Sequence, residues 1–197
     1  MRTLFTAGLT AVACIALSGH AAAEVKIISS VKNYAIVGKT GDDLLNQMDR
    51  KGPKHGFLTR AIAQTRYAVT WDIAWQSNGR DCRVQRVNAN IDITYTYPRV
   101  VSRLSPAMGK KWNAFLRGVR KHEETHGAIA QRMVKTAEKS VAAVSIKRDP
   151  HCFAARAEVK RRVAAAYDKY EAQQRDFDAR EHRDGGVVSR LVDRLVQ

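Results

Sequence analysis

The sequence predicts an α+β domain: a small antiparallel sheet with one short helix, followed by long C-terminal helices that carry a His-Glu-x-x-His pattern. Three observations predict it. Between Tyr67 and Tyr97, apolar side chains alternate with polar ones at period two, on both sides of an Asn78-Gly79 turn. From Trp112 to Val144, apolar residues recur instead at helical spacing. Gly and Pro then punctuate the chain where one pattern gives way to the next.

Residues 1–23 read as a secretory signal. Met1-Arg2 is a basic start, Leu4 to Leu17 is apolar, and Ala21-Ala22-Ala23 offers small residues for cleavage before Glu24. The apolar run is too short to span a membrane. Ala11 stands three residues before Cys14, where lipid attachment calls for Leu, so lipidation is not expected. The protein is therefore expected to be exported, periplasmic or secreted, with no stable membrane span after cleavage.

Residues 24–186 make the main domain. Val25 to Ser30 reads as extended and Tyr34 to Gly38 as a short strand. Thr40-Gly41-Asp42-Asp43 opens a helix over Asp42 to Met48, with acidic residues in its first turn. Lys51-Gly52-Pro53 stops it, and a basic loop runs from Arg50 to Arg60. Tyr67, Val69, Trp71, Ile73 and Trp75 form one face of a strand. The return strand carries Val87, Ala89, Ile91, Ile93, Tyr95 and Tyr97. Val84 falls out of phase, which predicts a bulge near Gln85–Arg86. Pro98 is expected to end this strand.

Ser105-Pro106 is an N-cap followed by proline at the first helical position. The helix it opens bears Trp112, Phe115, Leu116, Val119, Ala130, Met133, Val134, Ala137 and Val141 on one stripe. Asp149-Pro150 separates it from a second helix, Cys152 to about His182. Gly185-Gly186 ends that pattern. Residues 187–197, with Val188, Leu191, Val192 and Leu195, make a short amphipathic helix expected to dock on the domain.

His122-Glu123-Glu124-Thr125-His126 falls on the buried stripe of the first long helix. Residues four apart share a helix face, so His122 and His126 can offer two imidazole nitrogens to one metal ion. Glu123 is placed to take a proton from water activated by that metal. A catalytic zinc site needs three protein ligands. His182 is the first candidate for the third, Asp178 the second and Glu158 the last. Asp178 and His182 are four apart and share a face. Tyr95, Tyr97, Tyr167 and Tyr170 are candidates to assist an oxyanion. Gly118 and Gly127 flank the motif and weaken the helix unless something approaches closely there.

With the signal removed, Cys82 and Cys152 remain, and two cysteines in an exported chain suggest one disulfide. Lys and Arg total 34 against 19 acidic residues, a formal charge of +15. Such a charge favours anionic partners, here envelope components. Nucleic acid is not expected, because the basic residues are dispersed and the chain is exported.

The chain resembles the DUF922 family of predicted secreted bacterial zinc-dependent proteases. The resemblance rests on Tyr34 to Gly38, Trp71 and Trp75, Cys82, Trp112, His122-Glu123-Glu124-Thr125-His126 and Cys152, and covers most of residues 30–185. It implies a metalloprotease-like domain with Zn2+ as cofactor and a peptide or protein substrate. The family closes with Tyr-Asp and then Thr-x-His-Gly. This chain has Phe177-Asp178, Glu181 at the Thr position, and His182 one residue early. The function expected is an exported zinc metallohydrolase, a peptidase with Glu123 as its catalytic base. The alternative is a non-enzymatic envelope protein with a vestigial or structural metal site.

Overall fold

The computed structural model describes residues 23–55 and 59–197. The signal expected over 1–23 lies outside them, apart from Ala23. The elements run β1 (Ala23–Ile36), α1 (Gly41–Lys51), β2 (Lys54–His55), β3 (Thr59–Arg60), β4 (Gln64–Ser77), β5 (Cys82–Val100), α2 (Pro106–Ala142), β6 (Ser145–Ile146), α3 (Phe153–His182) and α4 (Val187–Val196). The class is α+β. β1, β5 and β4 lie side by side in that order, with β6 paired to the start of β5, and β2 and β3 form a separate small pair.

The sheet differs from the expected one in one pairing. β4 and β5 form the antiparallel hairpin, but β1 runs parallel to β5 from Ala23↔Val87 to Ile36↔Val100. A parallel neighbour needs a long crossover; here α1, the small pair and β4 supply it. β1 is also one strand of 14 residues rather than two short ones. Its polar residues and exposed edge hide the alternation that would have joined them. The bulge falls where the phase slips: Ala74 pairs with Arg86 and Trp75 with Val84, leaving Gln85 unmatched. β5 does not stop at Pro98. It continues to Val100 against β1 alone, because β4 reaches only to Thr96. A missing N–H is tolerated where one flank of the strand has no partner. The expected Arg50–Arg60 loop contains the last residues of α1 and the two short strands of the small pair.

Helices cover one face of the sheet. α1 starts on a capping box, with Thr40 and Asp43 each satisfying the other's backbone N–H. α2 starts at Ser105, whose hydroxyl accepts from the Met108 N–H. At 37 residues it is about 55 Å long. It crosses three apolar clusters. Trp112, Phe115 and Val119 pack with Ile36, Leu44, Met48 and Leu195 at one end. Ala130, Met133 and Val134 meet Ala89, Ile91 and Ile93 at mid-sheet. Val141 joins Val87, Val144, Ala155 and Val159 at the far end. There Cys82 and Cys152 are bonded, with Cα atoms 5.2 Å apart. Asp149 accepts from the Ala155 N–H at 2.8 Å and so caps the start of α3. α4 is not an appendage, since Leu195 is fully buried in the first cluster. No helix among the described residues is long and apolar enough to cross a membrane.

Candidate metal centre

Between Val119 and Ala130 the apolar stripe of α2 is interrupted. His122 and Glu123, 7% and 6% exposed, occupy the interval and remain buried. Buried polar groups must be matched by partners or by an ion. α3 and β4 supply the partners, and the polar residues of all three elements line a cleft of about 890 Å3.

Three donor atoms converge on one point. His126 Nε2 lies 3.2 Å from His122 Nε2 and 2.9 Å from Asp178 Oδ1. His122 Nε2 lies 3.3 Å from the same Asp178 oxygen. A tetrahedral ion with ligands about 2.0 Å away holds its donors about 3.3 Å apart, so the three atoms fit one face of such a polyhedron. His182 Nε2 is 3.8 Å from Asp178 Oδ1 and its side chain is 57% exposed. His122, Asp178 and His182 together form a group that could hold a metal ion, each offering one atom within 4.8 Å of the others. By distance Asp178 stands ahead of His182. Glu158 is elsewhere, hydrogen-bonded to Arg161 and Arg162, which hold its carboxyl at about 2.

Electrostatics agrees with a cation at this point. Burial works against ionisation of Asp178, but the hydrogen bonds from His122 and His126 outweigh it and hold its carboxyl far below the usual range. Burial likewise opposes the charged form of His126, yet Asp178, Gln174 and Glu123 leave its pKa raised. His182 is lowered, chiefly by burial and then by the neighbouring histidines. Phe177 stacks on His122 at 4.9 Å and meets His126 edge-on at 5.0 Å, so its ring sets the attitude of both imidazoles. His122 Nδ1 is buried without a hydrogen bond, and the nearest carboxylate, Glu181, is 3.7 Å away.

Glu123 reaches toward β4. Thr65 donates to Glu123 Oε2 at 2.6 Å, and its hydroxyl also lies 3.0 Å from the Glu123 carbonyl oxygen. One hydroxyl proton serves one acceptor at a time. Burial raises the Glu123 pKa above the ordinary carboxylate value, with Thr65 and the two histidines acting against it. A carboxylate raised toward neutrality is suited to proton transfer.

The tyrosines nominated from sequence are not among the residues that line the cleft. Tyr95 lies against Gly127, where an added Cβ would meet its hydroxyl at 2.0 Å. That close approach accounts for the glycine, as Leu191 does for Gly118. Tyr97 lies under Arg120, and Tyr170 bonds Thr136 at 2.9 Å. Tyr167 packs on the mid-sheet cluster. Tyr67 does line the cleft, and its hydroxyl donates to Glu171. Burial and that carboxylate push its pKa well above the normal phenol value.

Sequence reasoning missed Thr65, Tyr67, Glu171 and Gln174. A signal for Gln174 was present, since it stands four residues before Asp178 on the same helical face. Thr65 had no local signal, because only the hairpin register brings it over α2.

A protein-family model described as "bacterial protein of unknown function (DUF922)" matches residues 31–186, and the chain belongs to that family. Comparison with curated proteins and with solved structures gives no match.

Proposed function

We propose that this DUF922 chain is an exported zinc-dependent hydrolase, and that its substrates are peptides. The observation that carries the reading is the convergence of His122 Nε2, His126 Nε2 and Asp178 Oδ1 within 2.9–3.3 Å of one another, beside the buried carboxyl of Glu123. Two imidazoles and one carboxylate, in a protein with these distances, suit zinc. His122, His126 and Asp178 would hold it, with His182 beside them. When bound, zinc supplies a Lewis acid that acidifies water and polarises a carbonyl. Glu123 takes the proton from the attacking water and returns it to the leaving amine. Thr65 holds that carboxyl toward the cleft. Tyr67 stays a phenol at neutral pH and keeps an O–H within the cleft. The cleft, about 890 Å3, has room for a few residues of an extended chain. Export rests on residues 1–23, and the charge of +15 supports residence at an anionic envelope surface.

The test is metal analysis of the mature protein, purified without chelators, beside His126→Ala and Glu123→Gln. Wild type and Glu123→Gln should carry one zinc per chain, and His126→Ala none. Peptide hydrolysis should appear only in wild type. Equal hydrolysis by Glu123→Gln would remove the enzyme assignment.

One observation favours a second reading, a structural site in a non-enzymatic envelope protein. His182 stands 3.8 Å from Asp178 Oδ1 and offers a fourth donor, and structural sites are closed by four protein ligands. His182→Ala separates the two. An open site keeps its zinc and its activity, whereas a closed site loses affinity steeply.

A further inference from the structure

Gln174 makes two contacts with a single residue, and both are to His126. Its amide oxygen faces His126 Nδ1, and its amide nitrogen donates to the His126 backbone carbonyl at 3.1 Å. A carbonyl oxygen can only accept. The amide orientation is therefore fixed by chemistry: the nitrogen must face the carbonyl, so the oxygen must face the ring. An amide oxygen also only accepts, so Nδ1 must carry the proton. On its other side the same ring meets Asp178 Oδ1, a second acceptor, 2.9 Å from Nε2. An imidazole between two acceptors is satisfied only when a cation sits at the second nitrogen, either a proton or a metal. Gln174 decides which nitrogen is left for it.

We propose that Gln174 is a positioning residue that holds His126 in the Nδ1–H tautomer and so presents Nε2 alone to the metal. This rests on the zinc-site reading. The device ties α3 to α2 at the ligand itself, because the backbone contact fixes where Gln174 stands and the ring contact fixes the imidazole plane. Phe177, one turn further along α3, stacks on the His122 ring and meets the His126 ring edge-on, but has no polar atom with which to choose a tautomer. His122 has no counterpart to Gln174, since its Nδ1 is buried and unbonded. The two histidines are thus differently held: His126 by a polar contact at Nδ1, and His122 by packing.

The experiment compares wild type, Gln174→Leu and Gln174→Glu in the otherwise intact mature protein. Leu keeps the approximate bulk and removes both contacts; Glu restores an acceptor opposite Nδ1 but not the donor to the His126 carbonyl. Zinc affinity is read by competition with a chromophoric chelator. The tautomer is read from ring-nitrogen NMR shifts of the metal-free protein at a pH where the ring is neutral. Gln174→Leu should bind zinc about 10- to 100-fold more weakly, and Gln174→Glu, with the acceptor but without the donor, should recover part of that loss. The Nδ1–H signature of His126 should be present in wild type and in Gln174→Glu and reduced in Gln174→Leu. Unchanged affinity in Gln174→Leu, or an equal loss in both variants, overturns the proposal, since a purely structural defect would not be rescued by the acid. If wild type binds no zinc at all, the metal reading fails. The nitrogen shifts then still decide the role of Gln174: a His126 ring protonated on Nε2 in the neutral wild type would overturn it.

Discussion

The two ends of the α2–α3 contact are built on opposite principles. At the Cys152 end the helices share Val141, Val144, Ala155 and Val159, and a disulfide joins the start of α3 to β5. At the other end nothing on α3 beyond Ala166 is fully buried. There α3 is held to α2 through Gln174, Phe177 and Asp178, and two of these contacts are polar. The apolar end is held by packing and a covalent bond. The polar end concentrates acceptors around one point and gains most when a cation occupies it. One helix pair therefore supplies both a covalent support and a group that could hold a metal ion.

The largest expected effect lies at the polar end and concerns chemistry rather than stability. Glu123→Gln should lower peptide hydrolysis by about 10^2–10^4, the usual contribution of a positioned general base, with zinc content unchanged. A loss of zinc in that variant would mean that Glu123 serves the metal rather than the reaction.

The covalent end comes next. Paired Cys82→Ser and Cys152→Ser should cost about 2–5 kcal/mol in denaturant unfolding. Zinc affinity should stay within a few-fold, because the two ends share no partners. A collapse of metal affinity would break the comparison and make α2–α3 one cooperative unit.

Metal binding should act in the reverse sense. Free zinc at 100 times its dissociation constant should stabilise the fold by about 2.7 kcal/mol. Hydrogen exchange should show the gain in α3 after Ala166 and around His122, with little change near Cys152. Uniform protection along α3 would contradict the division.

Gly127→Ala tests the packing behind the motif. The new methyl meets the Tyr95 hydroxyl, so the overpacking cost of about 1–3 kcal/mol should exceed the gain of about 1 kcal/mol in helix propensity. A more stable variant would show that Tyr95 yields freely.

The smallest effect is at Glu138, which is 5% exposed, with one carboxyl oxygen lacking a partner. Burial raises its pKa. A carboxyl raised on folding binds its proton more tightly in the native state, so this group removes stability as pH rises from its unfolded pKa through its folded one. Glu138→Gln should therefore raise the melting temperature at pH 7 and leave it nearly unchanged at pH 4. A gain of equal size at both pH values would point to packing instead of charge.

Much of this molecule is readable in its residues because the signals are local. Alternation places β4 and β5, helical periodicity and Ser105-Pro106 place α2, and the slip at Val84 places the bulge. His122, Glu123 and His126 are legible as a unit because four-residue spacing puts them on one face whatever surrounds the helix. Local pattern does not report which strand lies beside which, so β1 gave no sign that it runs parallel to β5. Nor does it measure distance across elements. Asp178, ranked after His182 from sequence, brings its Oδ1 within 3.3 Å of both His122 and His126, and only the fold carries Thr65 to Glu123 and Gln174 to His126. The sequence determined the periodic elements and the shared face of His122, Glu123 and His126, since covalent spacing along a helix is enough to fix them. The tertiary structure alone decided what faces Glu123 and His126 from β4 and α3, since those contacts depend on sheet register and helix packing across 48 to 58 residues of chain.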